Sequence, residues 1–335
     1  MTKRIITVVG AGIVGLWQAL TLARRGHRVR LIERSEQPFV EAASAFAGAM
    51  LAPYCEAEAA EPIVHELGLR SIGLWRETYP AVTVNGTLVV AGTRDRAELV
   101  RFARMTRGHA NLDLDALRKL EPALESQFTR ALYYAEEAHM APAAAMGFLL
   151  QAVRAAGVQV AFATPWTGEV AASETVIDCR GLGAQGELSG LRGVRGERLI
   201  IETREVTLAR PIRLLHPRHP IYVVPWGDGR FMVGATVIES NDAGPMTVRS
   251  ALELLGSAYA VHPAFAEAQI VDVGAGVRPA FADNVPKIVV RGRTIHVNGL
   301  YRHGFLLAPV LAELVAGYLD TGAIDNRVFL TEPNA

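Results

Sequence analysis

The residues best placed to do chemistry lie near the start of the chain. Gly10-Ala11-Gly12-Ile13-Val14-Gly15 has the spacing G-x-G-x-x-G. In that spacing the first glycine allows a tight turn. The second lets backbone approach a phosphate with no Cβ in the way, and the third lets a helix pack closely on a strand. The helix that follows presents unpaired N–H groups and partial positive charge to a pyrophosphate. Glu33 stands close to the roughly 20-residue offset at which an acid meets a ribose diol. Its charge disfavours a 2′-phosphate, and so disfavours NADP.

Such a site works only between a strand and a helix, and the sequence supplies both. Arg4 to Val9 reads as a buried strand, and Ile13 to Arg25 has helical apolar spacing that Gly26 can close. Val29 to Glu33 reads as the next strand. A βαβ unit of this kind implies a parallel sheet covered by helices. Helical patterns recur at Pro62 to Tyr79, Asp95 to Arg107, Pro142 to Ala156, Val248 to Tyr259 and Phe305 to Leu319. Strand patterns fall at Thr87 to Ala91, Tyr133 to Glu136, Thr175 to Asp178 and Thr294 to Asn298. Between about Glu197 and Val237 the pattern is antiparallel, with Leu199 to Glu202 as a strand and a hairpin turn at Gly227-Asp228-Gly229.

The expected fold is α/β: a Rossmann-like dinucleotide-binding domain with a parallel sheet and an inserted α+β substrate domain dominated by an antiparallel sheet. The nucleotide domain is expected over 1–84, 141–195 and 275–335, and the substrate domain over 85–140 and 196–274.

Composition bounds the class. Half the residues are hydrophobic and the formal net charge is zero, so a packed core is affordable and no basic field draws nucleic acid or acidic membrane. No uninterrupted apolar run reaches the roughly 20 residues of a membrane span, and Ile5 to Val9 is too short for a signal peptide core. A cytoplasmic protein is expected. Cys55 and Cys179 match no metal or redox spacing and read as reduced thiols.

The fingerprint alone does not separate FAD from NAD. One feature favours FAD: the chain returns at Ile295 to Leu307 to another strand, glycine turn and helix. That helix N-terminus could stabilise negative charge on a flavin ring.

Four further segments carry a resemblance. Asn298-Gly299-Leu300-Tyr301-Arg302-His303-Gly304-Phe305-Leu306-Leu307-Ala308-Pro309 resembles the C-terminal signature of the D-amino-acid-oxidase-like flavoenzymes, in detail the glycine oxidases of thiamine biosynthesis. Ser44 through Pro53, including Gly48, Met50 and Leu51, resembles the family's flavin-contacting stretch. Asp178-Cys179-Arg180-Gly181-Leu182-Gly183-Ala184 resembles the strand and turn that close over the pyrophosphate. Gly276-Val277-Arg278-Pro279-Ala280 resembles the segment that supplies a substrate-carboxylate arginine.

The resemblance implies roles. Arg278 would hold the substrate carboxylate, as a planar guanidinium does well. Read alone, an arginine before proline is a loop residue. Tyr222 would line the pocket, and Arg302 would sit by pocket or flavin. His303, Gly304, Phe305 and Leu306 would present backbone to the flavin. Gly10, Gly12, Ile13, Val14, Gly15, Glu33, Arg34, Ser44, Gly48, Met50, Leu51, Cys179, Gly181 and Gly183 would contact FAD. No cysteine lies near the C-terminal motif, so FAD is expected to be non-covalent.

The implied reaction is oxidative deamination of a small amine or amino acid. A hydride leaves the α-carbon, the imine releases ammonia or passes to a thiazole synthase, and O₂ becomes hydrogen peroxide. No dedicated protein base is required. Two departures bear on the substrate: Trp226 follows Val224-Pro225 where the family often has a basic residue, and the stretch from Phe162 to Thr175 is short. A D-amino acid, sarcosine or another secondary amine stays open as substrate. So do a carrier in place of O₂, a flavin-binding scaffold without turnover, and a homo-oligomer.

Overall fold

A computed structural model describes residues 3–171 and 173–331. Ala172, in the short 162–175 stretch, and the outermost residues of segments 1–84 and 275–335 lie outside the described residues.

Two large sheets organise the chain. The first has seven strands in the order Phe329–Thr331, Lys287–Arg291, Thr294–Asn298, Glu174–Asp178, Ile5–Val9, Arg28–Ile32 and Gln159–Ala161. Ile5–Val9 lies centrally and parallel to both neighbours, with Val9 opposite Asp178 on one side and Ile32 on the other. The βαβ reading therefore holds, with one antiparallel pairing where Lys287–Arg291 returns beside Thr294–Asn298.

Ile13–Arg24 packs against Pro142–Ala155 and Gly304–Thr321. Leu16, Leu20, Leu307 and Leu311 belong to one core cluster. Each such side chain contributes about 1.5–3 kcal/mol by leaving water. Gly304–Thr321 is long and apolar enough to cross a membrane by length and composition, but 61% of that window is buried inside this protein.

The second sheet has nine strands, and its pairings are antiparallel except where Ile212–Leu215 runs parallel to Thr87–Ala91. It has a separate core, including Leu88, Phe128, Leu199, Val223 and Phe231. The hairpin at Gly227 to Gly229 forms as the sequence predicts, joining Ile221–Gly227 to Arg230–Gly234.

The largest departure from the sequence reading is a pair of long strands, Arg192–Glu202 and Gln269–Ala280, which pair antiparallel along their length. The first begins at Arg192, ahead of the expected Leu199. The second puts Arg278 on a strand, where the sequence reads a loop. Gly274, Gly276 and Pro279 hide it by breaking the alternation. The glycines answer a tertiary demand: a Cβ at Gly274 or Gly276 would come within 2.6 or 3.0 Å of the Phe46 ring. Pro279 is tolerated because, among the described residues, the strand's one ladder is with Arg192–Glu202, and its other side meets only an isolated bridge from Ala280 to Leu300. The two strands run across positions 195 and 275 and bind those parts of the chain together.

Candidate active site

The glycine turn has the geometry its residue types demand. Gly10 has φ +95°, and a Cβ there would lie 2.8 Å from the Cys179 carbonyl oxygen. A Cβ on Gly15 would lie 1.8 Å from the Gly10 carbonyl oxygen. A Cβ on Gly12 would meet only ordinary contacts, Ser44 Oγ at 3.7 Å and Ala42 Cβ at 3.9 Å. The Glu33 carboxylate accepts from Ala11 N–H at 2.7 Å and Ser35 N–H at 3.1 Å, which fixes it at the rim of the turn. Ser44 Oγ accepts from Ile13 N–H at 3.3 Å. Arg34 is exposed and pairs with Glu41 at 2.5 Å.

Cys179, Gly181 and Gly183 follow Asp178, whose buried carboxylate meets Arg180 at 2.6 Å and His296 at 3.0 Å. Burial alone would raise the Asp178 carboxyl, but hydrogen bonds from His296 and Arg180 outweigh it and bring it to about 2. Asn298 Nδ2 donates to the Gly181 carbonyl at 2.9 Å, tying the C-terminal turn to this one.

One cleft of about 1180 Å³ runs from Glu33 and Trp166 past Gly12, Ser44 and Met50 to Tyr222, Arg278 and Arg302. It exceeds the roughly 300–1,000 Å³ of a drug-sized site. At its far end four segments converge. Tyr222 stands on Ile221–Gly227 and pairs across the strands with Arg213. Arg278 comes from Gln269–Ala280. Arg302 and His303 come from the turn before Gly304–Thr321, and that turn docks on the Arg278 strand through Tyr301 N–H to the Pro279 carbonyl at 2.8 Å. Tyr301 takes φ +50°, a left-handed conformation that a residue with a Cβ adopts at some cost. Glu56 ends the four-residue helix Pro53–Glu56.

The polar atoms at this end form one network. Arg302 donates to Glu56 at 2.8 Å and to Tyr222 Oη at 3.1 Å, and Tyr222 Oη donates to Glu56 at 3.1 Å. Burial would raise the Glu56 carboxyl, but Arg302 foremost, with Arg213, draws it down to about 2. Burial pushes the Tyr222 hydroxyl up, so it stays protonated. Burial also holds His303 down at about 4, so its imidazole is neutral at pH 7.

Arg278 differs from its neighbours. Its guanidinium donates to the Thr236 carbonyl at 3.2 Å, and among the described residues it has no carboxylate partner. Gly196 makes room for it, since a Cβ there would collide with Nη2 at 1.9 Å. Burial, then repulsion from Arg302, lowers its pKa to about 10, which leaves it cationic at neutral pH.

The cleft brings together Arg278, Tyr222, Arg302 and His303 with Gly10, Gly12, Glu33, Ser44, Gly48 and Met50. Gly15 lies behind the turn. Leu51 is fully buried in the core and is not among the residues lining the cleft. Both cysteines are free and buried. Sequence reasoning missed Glu56, Arg213 and Gly196. Glu56 sits in the run Glu56-Ala57-Glu58-Ala59-Ala60-Glu61, which reads as a solvated face. Nothing local marks it as partly buried.

The residues fit a flavin dinucleotide. Gly12 leaves a Cβ-free approach to backbone, and Ile13–Arg24 and Gly304–Thr321 both direct their N-termini into the same cleft. Neither of their N-cap residues, Gly12 and His303, supplies a side-chain cap.

Comparison with known proteins agrees. The family model DAO, described as FAD dependent oxidoreductase, matches residues 6–318. A Rhizobium etli protein named as a proposed thiamine biosynthesis oxidoreductase, ThiO, is 53% identical over 321 residues, covering 94% of this chain and 96% of that protein. The bifunctional protein ThiO/ThiG of Synechocystis is 27% identical over 335 residues, covering 93% of this chain and 51% of that protein, so the chain spans about half of it. The crystal structure of glycine oxidase from Bacillus cereus superposes with a TM-score of 0.83 over 97% of both chains at 22% identity, which shows a shared fold. The chain belongs to the DAO family of FAD-dependent oxidoreductases and is an enzyme of that kind.

Proposed function

We propose that the protein binds FAD without a covalent bond and uses O₂ to oxidise glycine or a similarly small amino acid. The products are an imine, which water converts to glyoxylate and ammonia, and hydrogen peroxide. The observation that carries this reading is Arg278: a cation without a carboxylate partner among the described residues, in the same cleft as the dinucleotide turn. An unpaired guanidinium in such a place is a receptor for an anion that arrives with the substrate.

Gly10, Gly12 and Gly15 would shape the end that holds the pyrophosphate, Glu33 would hold the ribose, and the backbone from His303 to Leu306 would hold the flavin. When bound, FAD supplies the acceptor for the two electrons and the hydrogen leaving the α-carbon. Arg278 takes the carboxylate in bidentate fashion and so fixes where the α-carbon stands. Tyr222 and Arg302 close the wall beside it. His303 is neutral and adds no positive charge next to the substrate amine. Catalysis on this account is positioning, and no residue is assigned as a base.

The resemblance to a ThiO/ThiG fusion supports transfer of the imine to a thiazole synthase, and with it a cytoplasmic setting. The C-terminal turn carries no cysteine, which supports non-covalent FAD. The segments 1–84, 141–195 and 275–335 form the nucleotide-binding part in this reading, and 85–140 and 196–274 the substrate-binding part. The test is turnover of glycine by the FAD-loaded protein: equal amounts of glyoxylate and peroxide are expected. Peroxide from sarcosine or D-alanine but none from glycine would move the substrate to a larger amine.

A further inference from the structure

The far end of the cleft holds two guanidinium groups that could each take an acid, yet only one is free. Arg302 is already engaged by Glu56 at 2.8 Å, with Tyr222 bridging the two. Arg278 has no such partner among the described residues. Arg213, the third cation nearby, is paired with Glu58 at 2.5 Å. With His303 neutral, Arg278 is the guanidinium at this end that has no carboxylate partner among the described residues.

Glu56 is held in place by design of the fold. Its helix is only one turn long, but that turn is anchored at its own backbone. Cys55 N–H donates to the buried carboxyl of Glu137 at 2.7 Å, and Arg213 Nη1 donates to the Cys55 carbonyl at 2.9 Å. Arg213 is itself clamped between the Phe102 and Tyr222 rings, 4.7 and 5.2 Å from their centroids. Glu56 lines the cleft with its side chain 13% exposed, so any ligand at Arg278 meets its field with little screening by water.

We infer that Glu56 sets the charge limit of the substrate: by cancelling Arg302 it leaves a single cation for a single carboxylate, and it excludes amines that carry a second acidic group. This rests on the reading of Arg278 as the carboxylate receptor. Two anions brought together in a partly desolvated site cost several kcal/mol. A dianionic amine would have to break the Glu56–Arg302 pair or leave its second acid facing Glu56. With Glu56 neutral, Arg302 becomes a second receptor, and the same cleft should favour a dicarboxylate.

The test uses ligands that are not oxidised, so it does not depend on turnover. Methoxyacetate and diglycolate share an ether core and differ by one carboxylate. Their dissociation constants are measured by calorimetry on the FAD-loaded protein and on FAD-loaded Glu56→Gln. Wild type should bind methoxyacetate at least about tenfold tighter than diglycolate, and in Glu56→Gln that ratio should fall by about tenfold or more. Adding Arg302→Met to Glu56→Gln should return the ratio to the wild-type side. An unchanged ratio in Glu56→Gln overturns the inference. So does a wild-type protein that binds diglycolate as tightly as methoxyacetate, a result that needs no variant to fold. If wild type binds neither ligand and Arg278→Ala does not alter glycine oxidation, it is the receptor role of Arg278 that fails.

Discussion

The two ends of the cleft are built on different principles. The nucleotide end is made of backbone. Gly10, Gly12 and Gly15 lie within six residues; Gly10 and Gly15 answer steric demands from the chain beside them, and Gly12 leaves a Cβ-free approach to backbone. The substrate end is made of side chains. Glu56, Tyr222, Arg278 and Arg302 come from four distant segments, and two strands, a one-turn helix and a turn bring them to the same end of the cleft. Backbone sites tolerate almost no added atom. Side-chain sites tolerate substitution in shape but depend on charge balance.

The largest effect should break the first end. Gly15→Val puts side-chain atoms into the Gly10 carbonyl, so the purified protein should be colourless and should not take up FAD in a fluorescence titration. Next comes the second end. Arg278→Ala should lower kcat/KM for glycine by about 10²–10⁴-fold while FAD binding persists, because a charge-assisted bidentate contact is lost with the cofactor cradle untouched. Tyr222→Phe removes one hydroxyl that links Glu56 and Arg302, and should cost about 3–30-fold in kcat/KM, read by steady-state peroxide assay.

The smallest effect concerns the support beneath Glu56. Burial, the largest cause, raises the Glu137 carboxyl to about 7 from 4.5. A raised folded-state pKa means the native protein holds this proton while the unfolded chain releases it. Glu137 therefore favours folding less as pH climbs from about 4.5 to about 7. Glu137→Gln removes that slope. The difference in Tm between pH 5.5 and pH 8 should shrink by about 2–5 °C in calorimetric scans.

The same contrast explains what the sequence could disclose. The glycine turn, Glu33, the turn after Asp178 and the C-terminal turn are local patterns, and the structure places them on one cleft. Thr87–Ala91 and Thr294–Asn298 form over the residues their patterns predict. The strand of Arg278 was illegible because its glycines serve Phe46, far away in sequence, and so read as breaks. Glu56 was illegible for a related reason. Its neighbours alternate acid and alanine like a solvated surface, and only the approach of Arg302 and Arg213 makes it a partly buried member of the site. Charge pairing between distant segments leaves no local signature.

The most direct test is an anaerobic titration of the yellow FAD-loaded protein with glycine and, separately, with methylamine, which lacks the carboxylate. The account predicts that glycine bleaches the flavin absorbance, that air restores it, and that methylamine at the same concentration leaves it unchanged. Bleaching by methylamine as fast as by glycine, or a spectrum that glycine does not alter, would contradict the claim that Arg278 positions the substrate through its carboxylate.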